Sequence, residues 1–250
     1  MSTPLFDYTL RLADTALVLG HRLSEWSGHA PILEEDIALA NLALDLIGQS
    51  RSFYDHAGAI EGKGRDENAL AYLRLEPEWK NLLIVEQPNG DFAATILRQF
   101  LVAAFLHPYY RGLAASKDET LAAIAAKAEK EMAYHLRHCG EWVIRLGDGT
   151  DESHRRIAEA LAELWPFTGE MFEVDASERA LIDTGIAVDP ASVRAEWEQT
   201  VDHVFAEATL ARPRDGWMQT GGRNGQHTEH LGHLLSELQY MQRAYPGQTW

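Results

Sequence analysis

Apolar residues in this chain return every three or four positions over long stretches and almost nowhere alternate. In the first stretch Leu12, Ala16, Leu19, Leu23 and Trp26 follow steps of four, three, four and three. That spacing winds them into one stripe on a helix ending near Ser27-Gly28. A second stretch, Leu33 to His56, carries Ile37, Ala40, Leu44 and Ile47 beside Leu39, Ala43, Leu46 and Phe53. Apolar residues therefore cover most of its circumference, and it needs neighbours on more than one side. The polar connector EGKGRDEN and the turn signal EQPNGD precede a third helix, Phe92 to about Gly112, in which Arg98 is the only charged residue before Tyr110. A fourth runs from about Glu119 to Leu146 and stops at GDG, where Gly147 suits a left-handed cap. Asp189-Pro190 starts a later helix carried by Val193, Trp197, Val201, Val204 and Ala208, and a last helix is expected from about Thr228 to Arg243. With strand signals nearly absent, the fold class is all-α: a bundle of about four long core helices with one or two peripheral ones, forming a single domain over residues 1–250.

Charge narrows the function. Asp and Glu total 38 against 22 Lys and Arg, a formal charge of -16, which repels nucleic acid and anionic membrane surfaces. The most apolar run, Phe100 to Tyr110, contains a His-Pro break and is shorter than the roughly 20 residues a membrane span needs. The single Cys139 cannot form an intrachain disulfide, and MSTPLFDYTLRLAD has no basic segment followed by an apolar one, so a cytoplasmic location is expected. Cys139 lies on an apolar helix line and reads as an inert core thiol. TGGRNG lacks the Lys-Ser/Thr of a phosphate loop and reads as a flexible turn. Trp26 and Trp142 read as core or interface residues.

Polar residues inside the helices carry the chemical question. In the fourth helix Ile124, Ala128, Glu131, His135, His138 and Trp142 share one line, next to Met132, Leu136, Cys139, Val143 and Leu146. Glu34, Ala38, Asn41 and Asp45 make a similar line in the second, and HTEHLGH sets His227, His230 and His233 around Glu229. Inward carboxylates and imidazoles on facing bundle helices are how di-iron carboxylate proteins hold metal, with Glu-x-x-His on two helices and a Glu on each of two more. No Glu here has a His three residues later. The steps of four, Glu131 to His135 and Glu229 to His233, shift the imidazole by about 1.5 Å and 100°. The one acidic step of three, Asp151 to His154, lies in the connector GDGTDESHRR and reads as a cap or surface pair. The third helix offers Arg98, a cation that repels iron. The favoured reading is a buried hydrogen-bonded network of Asp45, Arg98, Glu131 and His135, with Arg98 paired to Asp45 or Glu131. The competing reading is a metal site on Glu131, His135, Glu229 and His233 with Glu34 or Asp45.

Four stretches point further: Gly20 to Arg51, Leu82 to Leu101, Tyr134 to Arg156 and His227 to Leu235. Together they resemble the C-subunit family of bacterial phenylacetyl-CoA epoxidase, part of the ring 1,2-monooxygenase complex of aerobic phenylacetate degradation. The resemblance spans nearly the whole chain. It implies a ferritin-like bundle with no catalytic residue of its own, which dimerises with and supports a homologous catalytic A-subunit holding the di-iron centre. The B-subunit and a reductase carrying FAD and an iron-sulfur cluster, fed by NADPH, complete the implied system. On this reading no cofactor belongs to this chain, and exposed apolar side chains, Trp26 and Trp197 among them, are expected to be buried by a partner. The alternatives are a catalytic di-iron oxygenase subunit in its own right and a stand-alone ferritin-like store.

Overall fold

Thr3 opens the first helix, α1 (Pro4–Ser24): its hydroxyl accepts the Phe6 amide at 3.2 Å, and Pro4 occupies the first turn, where no backbone donor is needed. The computed structural model describes residues 3–248, so the termini of the 1–250 span expected above lie outside the described residues. Helix α2 (Leu33–Glu61) returns antiparallel to α1 and ends on Gly62 at φ 67°, a left-handed cap. Short helices α3 (Glu67–Tyr72) and α4 (Leu83–Glu86) follow. Asp91 then caps α5 (Phe92–Leu113) and Asp118 caps α6 (Glu119–Gly147), each accepting the amide three residues on.

Contacts along the α2–α6 boundary run from Glu35 with His138 to His56 with Asp118, so these helices are antiparallel. Since α5 and α6 are also antiparallel, α2 and α5 run the same way. The chain must therefore travel back along the bundle, about 43 Å for the 29 residues of α2, before α5 begins. Residues 62–91 make that crossover, which is the connection of a ferritin-like bundle. Helix α7 (Asp151–Leu164) packs on α5 and α6, α8 (Ala176–Thr184) on α1, α9 (Arg194–Glu207) on α5 and α6, and α10 (Glu229–Leu238) on α4, with α11 (Tyr240–Ala244) after it. There is no strand among the described residues, and the buried apolar side chains form one continuous cluster.

Several local expectations are corrected. The His-Pro pair does not interrupt α5, which continues past Pro108 to Leu113. The lost hydrogen bond and ring clash cost about 3 kcal/mol; burial of Phe105, Leu106, Tyr109 and Tyr110 returns about 1.5–3 kcal/mol per side chain. Gly147 is not left-handed; it is glycine because a Cβ there would sit 2.2 Å from the Ala208 carbonyl oxygen. GDGTDESHRR is no connector, since Thr150 caps α7 from Asp151 onward and His154 Nδ1 reaches the Gly147 carbonyl at 2.7 Å. The last helix breaks at Gln239, whose amide is drawn to the Ala71 and Arg74 carbonyls at 3.1 Å each. The periphery therefore holds more short helices than the one or two expected.

Glu86 joins the crossover to the start of α10. One oxygen accepts the Thr228 amide at 2.7 Å, and the other meets Asn81 Nδ2 at 2.9 Å and His227 Nδ1 at 3.0 Å. His227 Nε2 faces the Trp79 carbonyl at 2.9 Å, so both ring nitrogens face acceptors and the imidazolium satisfies both. Burial opposes that charge, but Glu86 and the Trp79 carbonyl outweigh it and raise His227 above its ordinary 6.5. A raised folded value stabilises fully below pH 6.5, and the contribution is lost as pH rises through the folded value. The urea midpoint should therefore fall more between pH of about 6 and 9 in the parent chain than in His227→Gln; equal falls would show that His227 carries no proton linkage.

Candidate functional site

Helices α2 and α6 meet across a ladder of polar rungs. Glu35 Oε2 lies 3.0 Å from His138 Nε2, Asp45 Oδ2 3.1 Å from His135 Nε2, and Gln49 Nε2 donates to Glu131 Oε2 at 2.9 Å. His56 Nε2 closes the far end at 3.1 Å from Asp118. The ladder follows from the helix period: Glu131, His135 and His138 share one side of α6, which faces the row Glu35, Asp45 and Gln49 of α2.

His135 is wholly buried, and α5 supplies its other contact, with Gln99 Nε2 3.1 Å from Nδ1. With the amide donating, Nδ1 accepts and Nε2–H donates to Asp45, so neither nitrogen has a free lone pair. Glu131 is turned toward Gln49 and toward Lys127, 3.4 Å away. Of the four expected network members, Asp45 and His135 are joined directly; Glu131 sits on the next rung.

Arg98 belongs elsewhere. Consecutive residues on a helix point about 100° apart, so Gln99 facing α6 turns Arg98 toward the start of α5. There its guanidinium donates to the Gln87 carbonyl at 2.5 Å, the Pro88 carbonyl at 3.1 Å and Asn89 Oδ1 at 2.5 Å, clamping the QPNG turn. Neither Asp45 nor Glu131 is its partner, which corrects the expected pairing. Burial and the nearby Arg22 charge push Arg98 down to about 9, so it stays cationic at neutral pH. Arg98→Met should cost about 3 kcal/mol by urea unfolding, because it strands the turn's buried acceptors; an unchanged midpoint would show that the clamp carries no energy.

Glu229 and His233 are exposed on α10, which packs against α4, and Glu34 is exposed in the first turn of α2. The structure brings none of the three to the ladder. Trp197 and Trp26 are satisfied within the chain. Trp197 donates to the Leu101 carbonyl at 3.1 Å among Trp165 and Phe172, and Trp26 donates to Thr95 Oγ1 at 3.0 Å with its edge against Phe92. They are not the partner-seeking surface expected. The amides Gln49 and Gln99 and the Glu35–His138 pair were missed; their one sequence signal is a polar residue in the period of the α2 and α5 stripes.

Residues 1–250 match the family described as Phenylacetic acid catabolic protein. The chain belongs to that family. It is also 52% identical over 243 residues, covering 97% of this chain and 98% of the relative, to the C-subunit of 1,2-phenylacetyl-CoA epoxidase from Escherichia coli (strain K12). Membership places the chain in phenylacetate catabolism.

The ladder's donors do not fit a di-iron centre. Such a centre draws four carboxylates and two imidazoles from four helices. In this family member the ladder offers Glu35, Asp45 and Glu131 with His135 and His138, all from α2 and α6; each pairs within the ladder, His135 is held at both nitrogens, and α5 adds only the amide Gln99. The remaining buried acceptors, Gln49 Oε1 and Gln99 Oε1, are neutral and cannot offset the charge of two irons. Among the described residues no three His, Cys, Asp or Glu side chains converge to hold a metal ion, and no helix is long and apolar enough to cross a membrane.

Proposed function

We propose that this chain is the non-catalytic, structural subunit of a phenylacetyl-CoA epoxidase, dimerising in the cytoplasm with a homologous catalytic A-subunit that holds the di-iron centre. In this proposal FAD, iron-sulfur and NADPH chemistry enters through the reductase, the B-subunit completes the complex, and no catalytic residue lies in this chain. The supporting observation is His135, held between Asp45 and Gln99 so that the place where a ferritin-like bundle would present a ligand is filled by a closed hydrogen-bond relay. Support also comes from the 52% identical relative, whose name is that of an epoxidase subunit.

The physical role is mechanical. A di-iron bundle that admits substrate and oxygen gives up core packing, and a bundle closed by the ladder and by a continuous apolar core supplies a firm neighbour. The test is iron content. The chain expressed alone and loaded anaerobically with ferrous iron should retain almost none, with iron appearing when the A-subunit is copurified. Stoichiometric iron on this chain alone would replace the proposal with a catalytic one.

A further inference from the structure

Two turns of the chain carry the pair Asn-Gly: Asn89-Gly90 in QPNG and Asn224-Gly225 in TGGRNG. An asparagine before glycine is open to attack by its own backbone, because no Cβ shields the following nitrogen. That nitrogen loses its proton, bonds to the asparagine Cγ and expels the side-chain nitrogen as ammonia, leaving a cyclic imide. Water then opens the imide at either carbonyl and gives aspartate or isoaspartate, with one new negative charge. The other asparagines, Asn41, Asn68 and Asn81, precede Leu or Ala, whose side chains crowd the attack. The reaction needs only water, so the surroundings of the two carboxamides decide where it runs.

At Asn89 the carboxamide is held at both ends. Oδ1 accepts Arg98 Nη2 at 2.5 Å, while Nδ2 donates to the Arg22 carbonyl at 2.7 Å and to Glu25 Oε2 at 2.8 Å. Arg98 is wholly buried, so solvent does not compete for its grip. Turning Cγ onto the Gly90 nitrogen breaks all three bonds. Asn224 is exposed, and its carboxamide has no hydrogen-bond partner among the described residues. The restraint there is one bond from the Gly225 amide to the Gly222 carbonyl at 3.0 Å, the last of a single 3-10 turn, Gly222–Asn224. Such bonds have poorer geometry than those of an α-helix.

We infer that Asn224 is a site of spontaneous deamidation in the folded protein, and that isoaspartate there releases its loop from the bundle. Isoaspartate routes the main chain through Cγ and so adds one methylene between residues 224 and 225. The turn has no room for it. A Cβ on Gly225 would already lie 2.2 Å from the Pro77 carbonyl oxygen, and this glycine sits at φ 78°. On one side of the insertion the amides of Gly221, Gly222 and Arg223 all donate to the buried Glu170 carboxylate. On the other, His227 joins Glu86 to the Trp79 carbonyl at the start of α10. The added atom cannot leave both attachments in register, so a pinned turn becomes a loose one, and the change is irreversible.

The test ages the full chain at mildly alkaline pH and follows both Asn-Gly pairs by peptide mass spectrometry. Conversion at Asn224 should run about 10-fold or more faster than at Asn89, because one hydrogen bond must open there against three. In urea both turns are released and the two rates should converge, which separates the effect of structure from that of sequence. Limited proteolysis then reads the consequence. The aged parent should gain cleavage between 211 and 226, whereas Asn224→Gln, aged alongside it, should not. Fresh Asn224→Asp, which carries the charge on an ordinary backbone, should also stay uncut. Equal rates at Asn89 and Asn224 in the folded chain would overturn the site. Conversion at Asn224 without new cleavage, or cleavage of fresh Asn224→Asp as ready as that of the aged parent, would overturn the release by isoaspartate.

Discussion

Asp14→Ala is expected to lower the unfolding free energy by about 4 kcal/mol and the melting temperature by roughly 8–16 °C. Asp14 is buried in α1 and touches three elements at once. Its carboxylate pairs with Arg74, which donates to Oδ2 at 3.0 Å and also to Oδ1. It accepts the Tyr54 hydroxyl of α2 at 2.5 Å and the Lys80 amide at 2.8 Å. Arg74, 2% exposed, adds bonds to the Leu70 and Glu78 carbonyls at 2.6 and 3.0 Å and lies 4.5 Å from the centre of the Trp79 ring. Desolvating such a pair offsets most of its attraction, so its presence is weak evidence of net stabilisation. Removing one partner is different, because the Arg74 charge stays behind without water or carboxylate. Asp14→Asn should therefore cost nearly as much as alanine, whereas Asp14→Leu with Arg74→Met should recover most of the loss. Urea unfolding of the four proteins checks this; a single Asp14→Ala within about 1 kcal/mol of the parent would mean that Arg74 finds another partner or water.

That network and the ladder mark where sequence reasoning stops. The four long helices were legible because each repeats its apolar stripe over five or more turns, and their caps, Asp91 and Asp118 among them, stand next to the stripes they start. The ladder was half legible. Helix period alone puts Glu131, His135 and His138 on one side of α6, but which α2 residue meets which imidazole depends on the sliding register of two helices, which no local pattern encodes. Arg98 shows the same limit at one-residue resolution. Its place in an apolar helix announced a buried charge, and the 100° between it and Gln99 decided that the charge faces the QPNG turn. Asp14 was not legible, because the first helix shows one apolar stripe in sequence yet is buried almost all round. Glu86 with His227, 141 residues apart, carried no signal. On α2 apolar residues cover most of the helix in sequence, but only the packing leaves Leu33, Ile37 and Leu44 exposed.

The second large effect is expected at Glu170, in a single 3-10 turn (Gly169–Phe172) with no motif of its own. Its buried carboxylate organises TGGRNG, so that segment is pinned and not the flexible turn expected from sequence. Oε1 accepts the amides of Gly221, Gly222 and Arg223 at 3.0, 2.7 and 3.4 Å, while Oε2 accepts the Leu83 amide of α4 at 2.7 Å. Glycine is required in the cradle: a Cβ on Gly222 would lie 2.3 Å from the Asn81 carbonyl oxygen, and Gly221 sits at φ 124°. Burial raises the Glu170 carboxyl above its ordinary range, although the backbone amides and Arg223 favour the anion. Glu170→Ala leaves several backbone donors with no acceptor, each costing about 1–3 kcal/mol, so a loss of about 4 kcal/mol is expected after partial relaxation. Glu170→Gln should cost about 2 kcal/mol, because its oxygen can serve the loop while its NH2 opposes the Leu83 amide. The diagnostic is locality. Limited proteolysis of Glu170→Ala should open the chain first between 211 and 226, whereas Asp14→Ala should show no such early site. Equal proteolytic patterns for the two variants would mean that the cradle is not what pins this loop.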